Sequence, residues 1–570
     1  MIHFILSILE PKQKKVLFIL LLLSVLTSAI EVIGIASIYP LVHVILDDQI
    51  LENKIYLKYF SDLIYTKDAL IYYSLGFTFL IFLIKNVFTF LVKVINFNFA
   101  RHLKVDLLNK ISKGYLYLPY EKIYKKTTDE NIKNFNFIQD FPAVINYILL
   151  IFTESLLLIF ILCFLLSISP NVLIFAFLML FLIVVIIYKK QKNIFFDLGN
   201  TWQRQQQLFI NLIIEMIGGL REIKIMGRES AFVNEIKNLM TKMSKVRFKT
   251  DVLLQVPSHV VEIAVISITL LSIFVLYQKN LTEVEIISIL GSFVVALARI
   301  MPSSTRILAA INTIKYNLPL TKILFKEFNL DSYENRFKKK NKNILKISLK
   351  KNIILRDISF EYVSKKEVLS KISLTIKKGK CIGIYGGSGG GKTTLNNLIS
   401  GLLIPKSGKI LVDNVDINKI DTDWNKKVSY ISQKPFFINA TIKQNITFKD
   451  KTKINKQKFL FAVNNSGLGD FIDSLPQKFN TIIGERGAFL SAGQLQRISI
   501  ARTLYYDPDL IICDEATSSL DKKNENMILQ NIKRIKKKGK TIIMISHNYE
   551  NFFFCDEIYK LHGKRLRKIK

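Results

Sequence analysis

The sequence is poor in cysteine, proline and glycine for its length. Only 4 of 570 residues are cysteine, and Cys163, Cys381, Cys513 and Cys555 have neither a metal-binding spacing nor a disulfide pattern. This scarcity excludes a disulfide-rich scaffold and favours a reducing compartment. The 12 prolines and 24 glycines are too few for a collagen-like or low-complexity chain.

Acidic residues are also scarce. There are 45 Asp and Glu against 80 Lys and Arg, which gives a net charge of +35. In a soluble protein such a charge would suggest nucleic acid. However, 50% of the residues are hydrophobic and the mean hydropathy is +0.28. We therefore predict a membrane protein with basic cytosolic loops and no nucleic-acid partner. A general bias towards lysine is the other explanation of the charge.

Six stretches of the chain contain almost no charged residues. A helix needs roughly 20 apolar residues to cross about 30 Å of hydrocarbon, and these stretches reach or approach that length. In the first of them only Glu31 is charged. The pattern predicts six transmembrane helices at about 16–46, 69–95, 143–167, 171–188, 252–277 and 283–311.

The charges between these stretches predict an orientation. Lys and Arg are frequent in the segment before the first stretch and in the segments at about 96–142 and 189–250. The segments that would lie on the other side of the membrane have few. Basic loops face the cytosol, so both chain ends are predicted to be cytosolic. The long inner segments are predicted to extend the helices. The segment 47–68 contains either a small helix on the outer membrane face or a plain loop.

The composition changes after the sixth stretch. A basic, polar segment is interpreted as a linker at 313–345, and short β-type runs then alternate with helical patterns. This alternation is typical of an α/β domain. We predict a multi-pass α-helical membrane domain at 1–312 fused to an α/β P-loop nucleotide-binding domain at 346–570.

A glycine-rich loop follows a strand-like run at 381–385. It matches the pattern G-x-x-x-x-G-K-[ST], in which backbone N–H groups surround phosphate oxygens at a helix N-terminus. Lys392 is predicted to reach the β- and γ-phosphates of ATP, and Thr393 to bind Mg²⁺. The predicted phosphate-binding residues are Gly386, Gly387, Ser388, Gly389, Gly390, Gly391, Lys392, Thr393 and Thr394.

Two acidic residues end a second apolar strand, at 510–513. Asp514 is placed to hold Mg²⁺, and Glu515 to polarise the attacking water as a general base. Two acidic residues at the end of a strand do not by themselves indicate a function. Downstream of a phosphate-binding loop they predict nucleotide hydrolysis.

The segment between these motifs runs Leu490-Ser491-Ala492-Gly493-Gln494. It resembles the signature of ATP-binding cassette (ABC) transporters, with alanine where the family usually has glycine. The whole chain resembles an ABC exporter half-transporter. The resemblance implies a homodimer in which ATP and Mg²⁺ lie between the phosphate-binding loop of one chain and the residues Ser491, Ala492, Gly493 and Gln494 of the other.

Three further residues match positions of the same family. Tyr362 resembles the aromatic residue that stacks on adenine, and Gln433 the glutamine that senses Mg²⁺ and faces the membrane domain. His547 resembles the histidine that contacts the γ-phosphate. Taken singly each would more often be structural, but their order and spacing favour the catalytic set Glu515, His547 and Gln433. The run 118–124 resembles the first coupling region.

Two membrane segments suggest a cargo. The runs 30–41 and 295–307 are similar to those of the lipid-linked oligosaccharide flippases of bacterial N-glycosylation. This resemblance implies flipping of a lipid-linked oligosaccharide, or a related surface-glycan precursor, to the outer leaflet of the inner membrane. An exporter of lipid, peptide or drug is the alternative.

Some basic residues lie inside the second and sixth predicted membrane spans. Charges there are costly and usually face a cavity or a partner. Lys85, Arg299 and Arg306 are therefore candidate residues of a substrate cavity for an anionic headgroup. Alternatively they pair with Glu31, Glu154 or Glu262, or Lys85 extends towards the membrane surface. The sequence leaves both interpretations open.

Overall fold

The structure is a computed structural model of the chain. It describes residues 6–7, 9–46, 67–117, 120–121, 128–168, 170–277, 283–328, 345–362, 367–387, 389–419, 422–448, 454–518 and 520–570. These residues form two compact units. The first comprises Met1–Tyr117 and Lys126–Ser332, and the second Leu118–Lys125 and Tyr333–Lys570.

The first unit is helical. Its helices are α1 (Pro11–Ala36), α2 (Ile38–Leu46), α3 (Lys67–Tyr117), α4 (Thr128–Ile168), α5 (Pro170–Gly218), α6 (Leu220–Met226), α7 (Glu229–Tyr277) and α8 (Glu283–Phe328). Each predicted membrane span lies on these helices. Four stretches among the described residues are long and apolar enough to cross a membrane: Pro11–Val42, Asp68–Tyr117, Phe141–Phe164 and Glu229–Ser267.

The boundaries differ from the predicted ones in two places. The first span is interrupted at Ser37, where α1 ends and α2 begins. The ring of Pro40 would clash with the carbonyl of Ala36 in a continuous helix, which explains the break. The last helix continues to Phe328, so residues 313–328 of the predicted linker are helical, while 329–344 lie outside the described residues.

Two other predicted features fall mainly outside the described residues. Of the loop 47–68, only its last two residues are described, as the start of α3. In the coupling region 118–124 only Tyr120 and Glu121 are described. Both interpretations of the outer loop, and the coupling assignment, stay predictions.

Apolar side chains pack the long helices together. Helix α8 packs against α4, α5 and α7, and α1 packs against α3 and α4. One buried cluster joins four of these helices through Ile35, Leu157, Ile161, Val261, Ala296 and Ile300. At Gly199 the helices approach so closely that a Cβ would lie 2.1 Å from the carbonyl oxygen of Tyr316. Only glycine fits there.

The second unit contains two sheets and several helices. The strands are β1 (Asn352–Glu361), β2 (Glu367–Lys377), β3 (Cys381–Tyr385), β4 (Ser407–Val412), β5 (Val415–Asp416), β6 (Val428–Ile431), β7 (Leu510–Asp514), β8 (Thr541–Ser546), β9 (Glu557–His562) and β10 (Arg565–Lys568). The α-helices are α9 (Lys392–Ile399), α10 (Ile442–Ile446), α11 (Lys456–Asn465), α12 (Gly469–Asp473), α13 (Ala492–Tyr506) and α14 (Lys522–Lys537). Short 3₁₀ helices are Trp424–Lys427, Lys478–Asn480, Glu485–Gly487 and Tyr549–Phe552.

The larger sheet carries the site. Its order is β10-β9-β3-β8-β7-β6, with β10 antiparallel and the other pairs parallel, and a smaller antiparallel sheet has the order β2-β1-β4-β5. Along β8, Ile542 and Met544 enter one core cluster while Ile543 and Ile545 enter the other. The sheet is thus buried on both faces, as expected for parallel strands with continuous apolar sequence.

Candidate nucleotide-binding site

Strand order brings the separate motifs to one edge of the sheet. Strand β8 lies between β3 and β7, with Tyr385 paired to Ser546 and Asp514 paired to Ile545. The carboxyl ends of these parallel strands therefore meet, and the residues that follow them converge. Ligands of such sheets bind at this edge.

The glycine-rich loop connects β3 to helix α9. Gly391 caps the helix with φ of 93°, and a Cβ there would lie 3.0 Å from Leu369, so the loop requires glycine at this position. Lys392 is buried, and its Nζ donates to the carbonyl oxygens of Gly386 at 2.7 Å and Gly387 at 3.2 Å. Ser388 lies outside the described residues.

A cavity of about 470 Å³ opens beside the loop. This volume is within the range of small-molecule sites. It is lined by residues 389–394 of the predicted loop together with the predicted glutamine, tyrosine and acidic residues. The lining residues are Tyr362, Val368, Gly389, Gly390, Gly391, Lys392, Thr393, Thr394, Gln433, Asp514 and Glu515.

The predicted general base lies in a cluster with the predicted lysine and histidine. Oε1 of Glu515 lies 2.5 Å from Nε2 of His547 and 3.5 Å from Nζ of Lys392. The backbone of Glu515 has φ of 51°, an uncommon value for a residue other than glycine, and its N–H donates to the carbonyl of Ile545. Strained backbone of this kind recurs at active sites because the surrounding structure holds the side chain in place.

Two hydroxyl groups donate to the same oxygen of Asp514. Thr393 Oγ1 lies 3.5 Å from Oδ2, and the Tyr430 hydroxyl donates a second hydrogen bond to it. A carboxylate beside a threonine hydroxyl is the kind of oxygen donor set that Mg²⁺ prefers, so these residues fit the ion. Partial burial and the hydrogen bond to Asp514 raise the pKa of Tyr430 far above its usual value. Its hydroxyl is therefore protonated.

Tyr362 lies at the rim of the cavity. Its hydroxyl is 3.2 Å from Oγ1 of Thr394, and its ring packs edge to face on Phe360 at 5.0 Å. The ring is thus held beside the loop. Stacking of this ring on adenine stays a prediction.

The signature residues lie elsewhere in the unit. Ser491 caps helix α13: its side chain accepts from the N–H of Gln494 at 3.3 Å, while its own N–H donates to the Gln494 side chain at 2.9 Å. Ala492 is exposed and Gly493 is buried against Asn524. None of these residues is among those that line the cavity described above.

The basic residues of the first unit have acidic partners. Arg299 Nη2 lies 2.6 Å from Oε1 of Glu31, and Lys85 Nζ lies 3.8 Å from the same oxygen. Arg306 Nε lies 3.0 Å from Oε1 of Glu154. The pairing that the sequence left open as an alternative is therefore present. Lys85 also lies over the ring of Phe82, 4.8 Å from its centroid.

Two residues of the site were missed by the sequence analysis. Val368 lines the cavity, and Tyr430 donates to Asp514. Tyr430 stands three residues before Gln433, but no motif marks it. Strand β6 pairs with β7, so that Tyr430 lies opposite Ile512. This pairing brings Tyr430 close to Asp514.

Part of the second unit is similar to a known protein family. Residues 369–518 match the family model described as ABC transporter. This range contains the glycine-rich loop, Gln433, the signature and both acids.

Curated relatives match a similar length of sequence. The alpha-hemolysin translocation ATP-binding protein HlyB of Escherichia coli O6:H1 is 41% identical over 209 residues, which is 36% of this chain and 29% of that protein. The leukotoxin translocation ATP-binding protein LktB of Mannheimia glucosida is 38% identical over the same length and shares. The chain thus covers about 29% of the length of these relatives.

A solved structure extends the likeness to nearly the whole chain. The structure of a bacterial Atm1-family ABC exporter with ATP bound aligns with a TM-score of 0.76, over 97% of this chain and 94% of that one, at 19% identity. The predicted fold class is confirmed: the chain has the ABC exporter fold, a transmembrane helical domain fused to a nucleotide-binding domain.

Proposed function

We propose that the protein hydrolyses ATP and uses the energy to move a cargo out across the membrane. One observation carries the proposal. Lys392, Asp514, Glu515 and Gln433 line a single cavity, in a chain whose other unit is a set of long apolar helices. ATPase activity of the purified protein in lipid nanodiscs, lost in Lys392→Ala, tests the first half. ATP-dependent movement of a cargo in vesicles tests the second.

The side chains of the cluster have distinct roles in hydrolysis. Lys392 would exchange the carbonyls of Gly386 and Gly387 for phosphate oxygens, because its ammonium is the strongest donor at the loop. Glu515 would accept a proton from the attacking water. His547, 2.5 Å from Glu515, would hold that carboxylate in position and contact the γ-phosphate.

Magnesium belongs to this proposal as a cofactor. Thr393 and Asp514 would hold it, with Gln433 at the edge of the same cavity. When bound, Mg²⁺ neutralises charge on the phosphates and orients them for attack.

We further propose that the active form is a homodimer. Each chain carries one glycine-rich loop and one signature, and Ser491 and Gly493 are not among the residues that line the cavity of their own chain. A second copy would supply them. Cross-linking of cysteines introduced at Ser388 and Ser491 should trap a dimer in the presence of ATP with Glu515→Gln. A monomer with full ATPase activity, identified by mass in the same chromatographic peak, would contradict the dimer.

For the cargo we propose a lipid-linked oligosaccharide or a related surface-glycan precursor, carried to the outer leaflet of the inner membrane. Charge in the first unit supports an anionic headgroup. Glu31 faces both Arg299 and Lys85, so this triad has one positive charge in excess. An uncompensated charge at membrane depth is costly, and an anionic group of the cargo would neutralise it.

An exporter of lipid, peptide or drug remains the second candidate. It is favoured by the sequence identity to HlyB and LktB, whose names describe toxin translocation. However, the match covers only 36% of this chain and 29% of HlyB, so the names of these relatives are weak support for a cargo. Stimulation of the ATPase by a polyprenyl-pyrophosphate glycan but not by hydrophobic peptides or drugs supports the first candidate, and the reverse result supports the second.

A further inference from the structure

The hydroxyl of Tyr430 reaches a side chain that the nucleotide site needs. It donates a hydrogen bond to Oδ2 of Asp514, the acid that would hold Mg²⁺. We propose that Tyr430 is a positioning residue for this metal ligand, which fixes the Asp514 carboxylate so that it can bind Mg²⁺ with the nucleotide. The inference rests on the function proposed above.

Sheet geometry places the tyrosine where it can do this. Strand β6 pairs in parallel with β7, and the Cα of Tyr430 lies opposite Ile512. Paired residues point to the same face, and side chains repeat every second residue, so Tyr430 and Asp514 share one face of the sheet. Tyr430 is 42% exposed, so its side chain is not part of the buried core. The hydrogen bond therefore follows from register.

The hydroxyl of Thr393 donates to the same oxygen but has a different role. Thr393 would bind the metal itself, so its oxygen must turn from Asp514 towards the ion. Tyr430 is not among the predicted metal ligands, so its hydroxyl can stay on Oδ2 when the ion binds. Its bond to Oδ2 would hold the carboxylate when Thr393 leaves, and Oδ1 has no protein donor among the residues that the structure describes.

Loss of the hydrogen bond from Tyr430 to Asp514 should lower the metal affinity of the site. A partner that orients a ligating carboxylate typically changes metal affinity or activity by roughly 10–100-fold. Removing the Tyr430 hydroxyl would free the Asp514 side chain to rotate. Metal binding would then have to order the Asp514 side chain, which lowers the metal affinity. The nucleotide contacts made by the glycine-rich loop would be unchanged.

The test measures metal-assisted nucleotide binding rather than turnover. The dissociation constant of a fluorescent, non-hydrolysable ATP analogue is measured on the full-length protein, once with Mn²⁺ and once with EDTA. The ratio of the two constants is the gain in affinity due to the metal. For Tyr430→Phe we expect this gain to fall roughly tenfold, with the constant in EDTA unchanged.

Two variants serve as controls. Tyr559→Phe removes another tyrosine hydroxyl that donates to a carboxylate, Oε2 of Glu557 at 2.6 Å, and should keep the full gain. Thr393→Ala should lose most of it. Thermal unfolding of each variant reports folding, and a merely structural Tyr430 would lower the unfolding midpoint without changing the gain.

The outcomes separate the inference from the proposed function. If the wild type shows no gain with Mn²⁺, the metal site itself fails, and the inference with it. If the wild type and Thr393→Ala behave as expected but Tyr430→Phe keeps the full gain, only the role of Tyr430 is overturned.

Discussion

One cation in each unit shows how different their surroundings are. In the second unit, the side chain of Lys392 is 6% exposed, donates to two loop carbonyls and lies 3.5 Å from Glu515. In the first unit, the side chain of Arg299 is 27% exposed and has a carboxylate oxygen of Glu31 at 2.6 Å. Lys392 is surrounded by groups that a phosphate can replace, whereas Arg299 already pairs with a carboxylate, which it shares with Lys85.

The comparison of Lys392 with Arg299 indicates under which condition a sequence predicts the role of a charged residue. The surroundings of Lys392 come from its own loop and from strand ends that a parallel sheet aligns, so spacing in the sequence is enough. The partner of Arg299 comes from another helix, more than 250 residues away in the chain. Which face of each helix meets the other depends on packing, which the sequence does not encode locally.

The largest expected effect is on hydrolysis. Glu515→Gln keeps the size of the side chain but removes the proton acceptor, so ATPase turnover should fall at least about a hundredfold while ATP binding persists. Turnover and equilibrium binding of ATP are measured on the same protein preparation.

Glu550→Gln is the matched control for this change. Its side chain is 78% exposed and has only a loose ion pair with Lys522 at 3.8 Å. Its turnover should equal that of the wild type. A Glu515→Gln protein that hydrolysed ATP at the wild-type rate would show that another group is the base.

Much of this cluster was predictable, and some of it was not. The motifs placed Lys392, Asp514 and Glu515 because each ends a strand or begins a helix at a fixed spacing. Tyr430 was missed since its contact depends on the pairing of β6 with β7. Likewise the break at Ser37 depends on the effect of Pro40, which apolar composition alone does not show.

A smaller effect, on stability, is expected in the first unit. It should be larger for the replacement of Arg306 than for that of Arg299. Arg306→Ala leaves the buried Glu154 without the cation it has in the described structure. Because the Arg306 side chain is 40% exposed, the loss of stability should stay below the roughly 3–5 kcal/mol that is typical of a fully buried pair. Arg299→Ala should cost less stability, because Lys85 stays 3.8 Å from Glu31 and still compensates its charge. The midpoint of thermal unfolding in detergent should fall more for Arg306→Ala.

A double variant checks the cause of that loss. Replacing both partners removes the uncompensated charge, so Glu154→Gln with Arg306→Met should recover most of the stability. If Arg306→Ala is as stable as the wild type, the pair with Glu154 contributes nothing, and Arg306 is available to a cargo.

The smallest expected effect concerns the alanine of the signature. Ala492→Gly restores the residue that the ABC family usually has at this position. Ala492 is the exposed first residue of α13, so the loss of its methyl removes no core contact, and the lower helix propensity of glycine costs up to about 1 kcal/mol. ATPase turnover should stay within about a factor of two of the wild type.

Ala488→Gly makes the same change at an exposed position in the same segment and controls for backbone flexibility. A turnover that rises roughly tenfold for Ala492→Gly alone would mean that the methyl group lies against the nucleotide of a second chain, and that alanine here slows a site whose remaining motif residues are intact.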